Sequence, residues 1–286
     1  MKNIVWLVSY PKSGNTWFRV FLANYQKKAQ DSASLDEIQS APVAGNAIDF
    51  EEIIGLDPFE LTADEVDLYR PELYRVLSDN VSKTDFFCYK KTHDAYTLNK
   101  NSIPIFPEDV TKKAIYFIRN PMDVCVSFAN HNAEKLDMTL KSLLNEAFYI
   151  AGGKSGQLRQ KLLSWKSHVQ SWRNQTLIPI HFVRYEDMVQ EPIEAFGSII
   201  KFLELEYDDM RLGKTIIKSD FKLLQELEQK NGFKERPQKC QHFFWKGKIG
   251  NYKDHLSKDQ IDRIVEYNYN TMKEFGYIDE SGALTV

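Results

Sequence analysis

Short apolar runs and longer amphipathic stretches alternate along the chain. Ile4 to Val8, Phe86 to Lys90, Ala114 to Ile118 and His181 to Val183 read as strands covered on both faces, as in a parallel sheet. Elsewhere apolar residues recur with a period of about 3.6 residues, which predicts helices over Asn15 to about Lys28, Pro121 to about Asn130, Gln157 to Trp172, Pro192 to Leu203 and about Ser257 to Phe275. The alternation predicts an α/β fold, a single domain over residues 1–286 with a central parallel β-sheet flanked by helices. Ala151 to Gly156 has loop composition, and the acidic stretch from Ser40 to Pro71, broken by Pro and Gly, reads as an excursion from that domain.

Composition narrows the function classes. The 286 residues, 43% of them hydrophobic, can bury a sizeable core. A formal net charge of -3 gives no global positive field, so neither nucleic acid nor an anionic membrane is an expected partner, and any anion site must be local. The three cysteines, Cys88, Cys125 and Cys240, are odd in number and lack CxxC spacing, which argues against a disulfide framework and a thiolate metal site. The first apolar run is too short for a signal-peptide core and no segment is long enough to span a bilayer, so a cytoplasmic location is expected.

The strongest chemical signal follows the first strand. There Ser9-Tyr10-Pro11-Lys12-Ser13-Gly14-Asn15-Thr16-Trp17 runs into a helix carrying Phe18, Phe21, Leu22 and Tyr25. Open backbone amides at a helix start, the positive end of its dipole, and the hydroxyls of Ser13 and Thr16 suit a phosphate, with Lys12 as a mobile charge. A Walker A loop would need GxxxxGK[ST], which is absent. The strands that could carry a Mg²⁺-binding acid end instead in Arg119 and Lys91, so anion handling without a metal is expected. A plain strand-to-helix turn closed by a capping hydroxyl is the alternative reading.

Three further segments carry chemistry. In Lys90-Lys91-Thr92-His93 the two-residue period of an extended chain puts Lys91 and His93 on one side, pairing a cation with a base whose ordinary pKa is about 6.5. His93 would accept an acceptor proton while Lys91 steadies charge. The other five histidines, His131, His168, His181, His242 and His255, lie outside comparable motifs. In Arg119-Asn120-Pro121-Met122-Asp123, Asn120 is an N-cap and Pro121 opens a helix; Ser127, nearly two turns on, can grip one anion together with Arg119. Gly247 and Gly250, in the run Trp245 to Lys253, allow close backbone approach to a phosphate.

Taken together these strings resemble the cytosolic sulfotransferase family, whose donor is 3′-phosphoadenosine 5′-phosphosulfate (PAPS). The loop after the first strand is similar to the family's YPKSGTTW, with Asn15 for the first Thr. The resemblance implies a P-loop-like phosphosulfate-binding loop in which Lys12 meets the bridging and sulfonyl oxygens. Ser13, Gly14 and Thr16 would bind the 5′-phosphate, alongside Asn15, and Trp17 would stack on adenine. Lys-Thr-His is also the family's form, and Arg119 to Ser127 matches its 3′-phosphate motif RNPxDxxxS. By the same likeness Tyr185, in Tyr185-Glu186-Asp187-Met188, touches the adenine region, while Ser219 supplies a hydroxyl and Phe221 a ring opposing Trp17. The segment Trp245-Lys246-Gly247 is similar to the closing RKG, with Trp245 where the family has a phosphate-gripping Arg. The dimer segment is altered, which leaves monomer and homodimer both open.

The expected reaction is transfer of a sulfonyl group from PAPS to a hydroxyl or amine of a small-molecule acceptor, releasing adenosine 3′,5′-bisphosphate (PAP) with no metal. His93, Lys12 and Lys91 would be catalytic. An ATP-using P-loop kinase and a nucleotide-binding module without catalysis are the alternatives. Glu51, Glu52, Asp57, Glu60, Asp64 and Glu65 raise a cationic natural product as acceptor, against the reading of a solvated acidic face.

Overall fold

A computed structural model of the chain describes residues 2–27, 41–80, 87–152 and 156–286. Lys28, Ser40, Phe86 and the stretch from Gly153 to Ser155, to which the expected elements extended, lie outside the described residues. In chain order the strands are β1 (Ile4–Ser9), β2 (Cys88–Thr92), β3 (Thr111–Ile118), β4 (Tyr149–Ile150), β5 (Gln160–Lys161) and β6 (Ile180–Arg184). The helices are α1 (Asn15–Gln26), α2 (Ala47–Ile54), α3 (Ala63–Asp79), α4 (Pro121–Asn132), α5 (Leu136–Leu143), α6 (Trp165–Asn174), α7 (Tyr185–Gln190), α8 (Pro192–Phe202), α9 (Asp209–Lys218), α10 (Phe221–Asn231) and α11 (Lys258–Glu274).

The expected α/β architecture is present: a central parallel sheet of four strands in the order β2-β1-β3-β6, flanked by helices. All six residues of β1 are buried, as the continuous apolar run requires. In-register pairing runs from Ile4 opposite Cys88 to Val8 opposite Thr92. The Ser9, His93, Arg119 and Tyr185 segments lie where β1, β2, β3 and β6 end, the position at which open parallel sheets bind ligands.

Two expectations are corrected. Only the second half of Gln157 to Trp172 is helical. Gln157 bridges Asn46, Leu158 bonds the Gly45 carbonyl, and β5 pairs with β4 before Leu163 takes a left-handed φ of 60° and Ser164 caps α6 through Ser167 N. The apolar Leu158 and Leu162 are therefore buried from an extended segment. Pro71 does not break the chain either; it lies inside α3. Proline removes the amide that would bond the Asp67 carbonyl, and the Asn99 side chain donates to that carbonyl instead at 3.3 Å.

The chain divides into two compact units, each discontinuous in sequence. The first comprises Met1–Tyr10, Ala41–Tyr116 and Glu146–His181; the second comprises Pro11–Ser40, Phe117–Asn145 and Phe182–Val286. In the first, Trp6 packs edge-on against Tyr74 and Phe106, and Arg70 pairs with Asp94 at 2.5 Å, both side chains 1% exposed. In the second, Phe21 of α1 stacks on Phe196 of α8 at 4.3 Å between ring centres.

Candidate active site

In the second unit the turn between β1 and α1 is bent by left-handed residues, Lys12 at φ 69° and Gly14 at φ 100°. Gly14 is the N-cap of α1 and no side chain caps it, so the capping-hydroxyl alternative is not realised. Ser13 is 1% exposed, and its hydroxyl makes no hydrogen bond. A Cβ on Gly14 would come within 2.9 Å of the Tyr185 ring, so backbone and ring meet where only glycine fits.

Arg119, directly after β3, ties this turn to the closing loop. Its Nη1 donates to the Lys12 carbonyl at 3.1 Å and its Nη2 to the Lys248 carbonyl at 3.2 Å, while the guanidinium lies 4.2 Å over the Tyr185 ring. Arg119 Nε is buried and makes no hydrogen bond. Tyr185 in turn donates its hydroxyl proton to the Gly247 carbonyl at 3.0 Å, and burial raises its pKa. Gly247 has φ 61°, and a Cβ there would meet the Phe221 ring at 2.7 Å.

The other residues expected at the nucleotide are placed as follows. Trp17 donates its indole proton to the Ser219 carbonyl at 2.7 Å, and the Ser219 hydroxyl accepts from Asn24 at 3.2 Å. Trp17 and Phe221 both pack against the buried cluster of Val20, Leu224, Phe233 and Phe244. Asn15 and Thr16 are buried in the first turn of α1, and Ser127 is half-buried on α4. Lys246 is turned toward Asn251 and His255, at 3.0 Å from each, with its ammonium over the Trp245 ring.

Several contacts escaped sequence reasoning. The Lys12 ammonium lies 4.0 Å from the centre of the Phe243 ring and 3.4 Å from His131 Nδ1. Asp123, named in the sequence only as part of its motif, accepts from the amides of Gly250 and Tyr252 at 2.8 and 2.9 Å and so anchors the closing loop. The motif showed Asp123 but not its partners, which lie more than a hundred residues away. Two buried donors without protein acceptors, the hydroxyl of Ser13 and Nε of Arg119, form with the uncapped start of α1 a donor set that phosphate oxygens satisfy. Among the described residues no group of three or more His, Cys, Asp and Glu side chains is placed to hold a metal ion.

In the first unit, β2 ends one residue before His93, and the register that pairs Val8 with Thr92 brings Ser9 beside it. His93 Nδ1 lies 2.7 Å from the Ser9 carbonyl oxygen and 3.2 Å from its hydroxyl. A carbonyl only accepts, so Nδ1 carries the proton, and in the neutral ring Nε2 is the accepting nitrogen. The His93 amide donates to Gln160 Oε1 at 2.9 Å, and its carbonyl accepts from His168 Nε2 at 3.0 Å. Lys91 is 9% exposed; its main chain pairs with Pro42 and Ala44.

The sequence profile described as the sulfotransferase domain matches residues 2–276. Relatives include cytosolic sulfotransferase 10 of Arabidopsis thaliana, 24% identical over 90% of this chain and 74% of that protein, and the amine sulfotransferase of Oryctolagus cuniculus, 22% identical over 95% and 81%. Among solved structures, a mouse sulfotransferase complexed with PAP aligns with a TM-score of 0.62 at 20% identity, covering 96% of this chain and 84% of that one. Retinol dehydratase in complex with retinol and PAP aligns with a TM-score of 0.64 at 17% identity, covering 96% and 82%. With almost its whole length matched by that one profile, the chain belongs to the sulfotransferase domain family, a family of enzymes.

Proposed function

We propose that the chain transfers a sulfonyl group from PAPS to a hydroxyl or amine of a small-molecule acceptor, releasing PAP. The observation that carries this reading is the hydrogen bond from His93 Nδ1 to the Ser9 carbonyl, because it leaves Nε2 as a fixed proton acceptor. A module that only binds nucleotide has no need of one. When bound, PAPS supplies a sulfonyl group on a phosphate leaving group. The hydroxyl of Ser13, the open amides of α1 and Nε of Arg119 bind phosphate oxygens, with Ser127, Lys246 and Gly247 on the same nucleotide. Trp17, Tyr185, Ser219 and Phe221 hold the adenosine. His93 takes the acceptor proton at Nε2, and the imidazolium so formed keeps its bond to Ser9. Lys12 and Lys91 offset the negative charge that builds on the transferred group and on the phosphate oxygens.

For the acceptor we favour a cleft of about 300 Å³ in the first unit, lined by Phe59, Leu61, Asp67, Tyr149, Gln157 and Arg159. The Gln157 side chain on its wall accepts from Gln160, which holds the His93 amide. A cationic acceptor is the narrower reading, supported by the amine sulfotransferase among the relatives and by the exposed Glu51, Glu52, Asp57 and Glu60. Asp64 and Glu65 are already engaged, with Lys100 and Thr62. The relatives named as cytosolic support a cytoplasmic location.

Incubating the protein with PAPS, a chelator and matched panels of phenols, alcohols and amines, with products read by mass spectrometry, tests donor and acceptor together. Sulfated products are expected, and His93→Ala or Lys12→Ala is expected to slow turnover about a hundredfold or more. Full turnover in either variant removes its assigned role. Nucleotide hydrolysis or phosphoryl transfer from ATP with Mg²⁺, without sulfation, replaces the proposal by a kinase reading.

A further inference from the structure

His93 stands one residue beyond β2, where the ladder of the sheet no longer supplies partners for its peptide groups. Side chains distant in sequence take over that task. Gln160 of β5 accepts from the His93 amide, and His168 of α6 donates to the His93 carbonyl. The second bond fixes the chemistry of His168: its Nε2 must carry the proton, so Nδ1 is an acceptor, and the Tyr116 hydroxyl donates to it at 2.6 Å. Hydroxyl, imidazole and carbonyl thus form one directed chain, Tyr116 to His168 to His93, all held in the first unit. His168 and Tyr116 are 0% exposed, and the Tyr10 ring closes edge-on over His168 at 5.4 Å.

We propose that His168, oriented by Tyr116, is a positioning residue for sulfonyl transfer, fixing the His93 peptide so that Nδ1 stays on Ser9 and Nε2 stays directed at the acceptor. The inference rests on His93 as the base. His168 touches no reacting atom. Burial lowers its pKa to about 4, so it remains the neutral Nε2–H donor through the physiological range. An unbonded peptide would let the His93 ring turn, and a misplacement of about 1 Å in a proton acceptor can cost on the order of a hundredfold in rate.

The test uses the full chain with PAPS and a mixture of naphthol and naphthylamine. His168→Phe is expected to lower kcat between about tenfold and a hundredfold with KM for PAPS changed less than about threefold, because His168 is not among the residues assigned to the nucleotide. His168→Gln keeps an N–H near the Nε2 position and is expected to recover most of that loss. Tyr116→Phe, which removes one oxygen and preserves shape, is expected to lower kcat about threefold to tenfold, and it keeps the test open if His168→Phe fails to fold. In a His93→Ala background, replacing His168 is expected to cost little more, since the two act as a unit. NMR of isotope-labelled histidine rings, which needs no acceptor, is expected to show His93 as a single Nδ1–H tautomer in the wild type and as two tautomers in exchange when His168 is phenylalanine. If His93→Ala is inactive while the His168 and Tyr116 variants keep wild-type kcat and a single His93 tautomer, the inference fails and the base assignment stands. If His93→Ala is fully active, the base assignment itself is lost.

Discussion

At the scale of single residues, Gly14 is required twice, by its φ of 100° and by the Tyr185 ring 2.9 Å from where a Cβ would lie. Gly14→Ala is expected to cost about 1–3 kcal/mol in a urea titration and to weaken PAP binding, because Tyr185 must move and Tyr185 holds Gly247. His168 yields a pH prediction. Its folded pKa is about 4 against an ordinary 6.5, so the unfolded chain takes up the proton first. This single site leaves stability unaffected above about pH 6.5, removes roughly 3 kcal/mol as pH falls toward 4, and adds nothing further below that. The decline in urea midpoint over that window is expected to shrink in His168→Gln. The sequence displayed Gly14 and Arg119 because both sit in contiguous strings. His168 was illegible, since the partners that define it are 52 and 75 residues away.

At the scale of elements, one carboxylate governs a loop. Asp123 of α4 accepts from the amides of Gly250 and Tyr252, and such charge-assisted bonds are worth about 1.5–3 kcal/mol each. Asp123→Ala is expected to speed hydrogen exchange at both amides markedly and to lower PAP affinity. A smaller effect, about 1–2 kcal/mol by denaturant titration, is expected for Asn99→Ala, which orphans the Asp67 carbonyl above Pro71. Helix ends were readable where caps are local: Asn120 and Ser257 mark α4 and α11 as the string suggests. The segment from Gln157 was misread because Leu158 and Leu162 mimic helical spacing, while the bridge to Asn46 that extends it is a tertiary contact.

For the whole molecule, the parallel sheet and the sulfotransferase family were legible because parallel strands and phosphate turns leave short ordered signatures, whereas the strand order and the division into two units depend on contacts among distant segments and leave none. Two of the five unit boundaries fall inside strands, between Tyr116 and Phe117 in β3 and between His181 and Phe182 in β6. Neither strand can be cut there and keep its ladder, so calorimetry is expected to show one transition with matching calorimetric and van't Hoff enthalpies. PAP at a hundred times its dissociation constant is expected to stabilise the protein by about 2.7 kcal/mol, read as a higher midpoint.

Arg119 commits both terminal nitrogens to peptide carbonyls of two separate loops, while its buried Nε makes no hydrogen bond. Its removal would slacken the scaffold as well as subtract a cation, so a weakened grip on nucleotide in an Arg119 variant is not a measure of charge alone. Arg119→Lys, with the charge retained and the fork lost, separates the two effects.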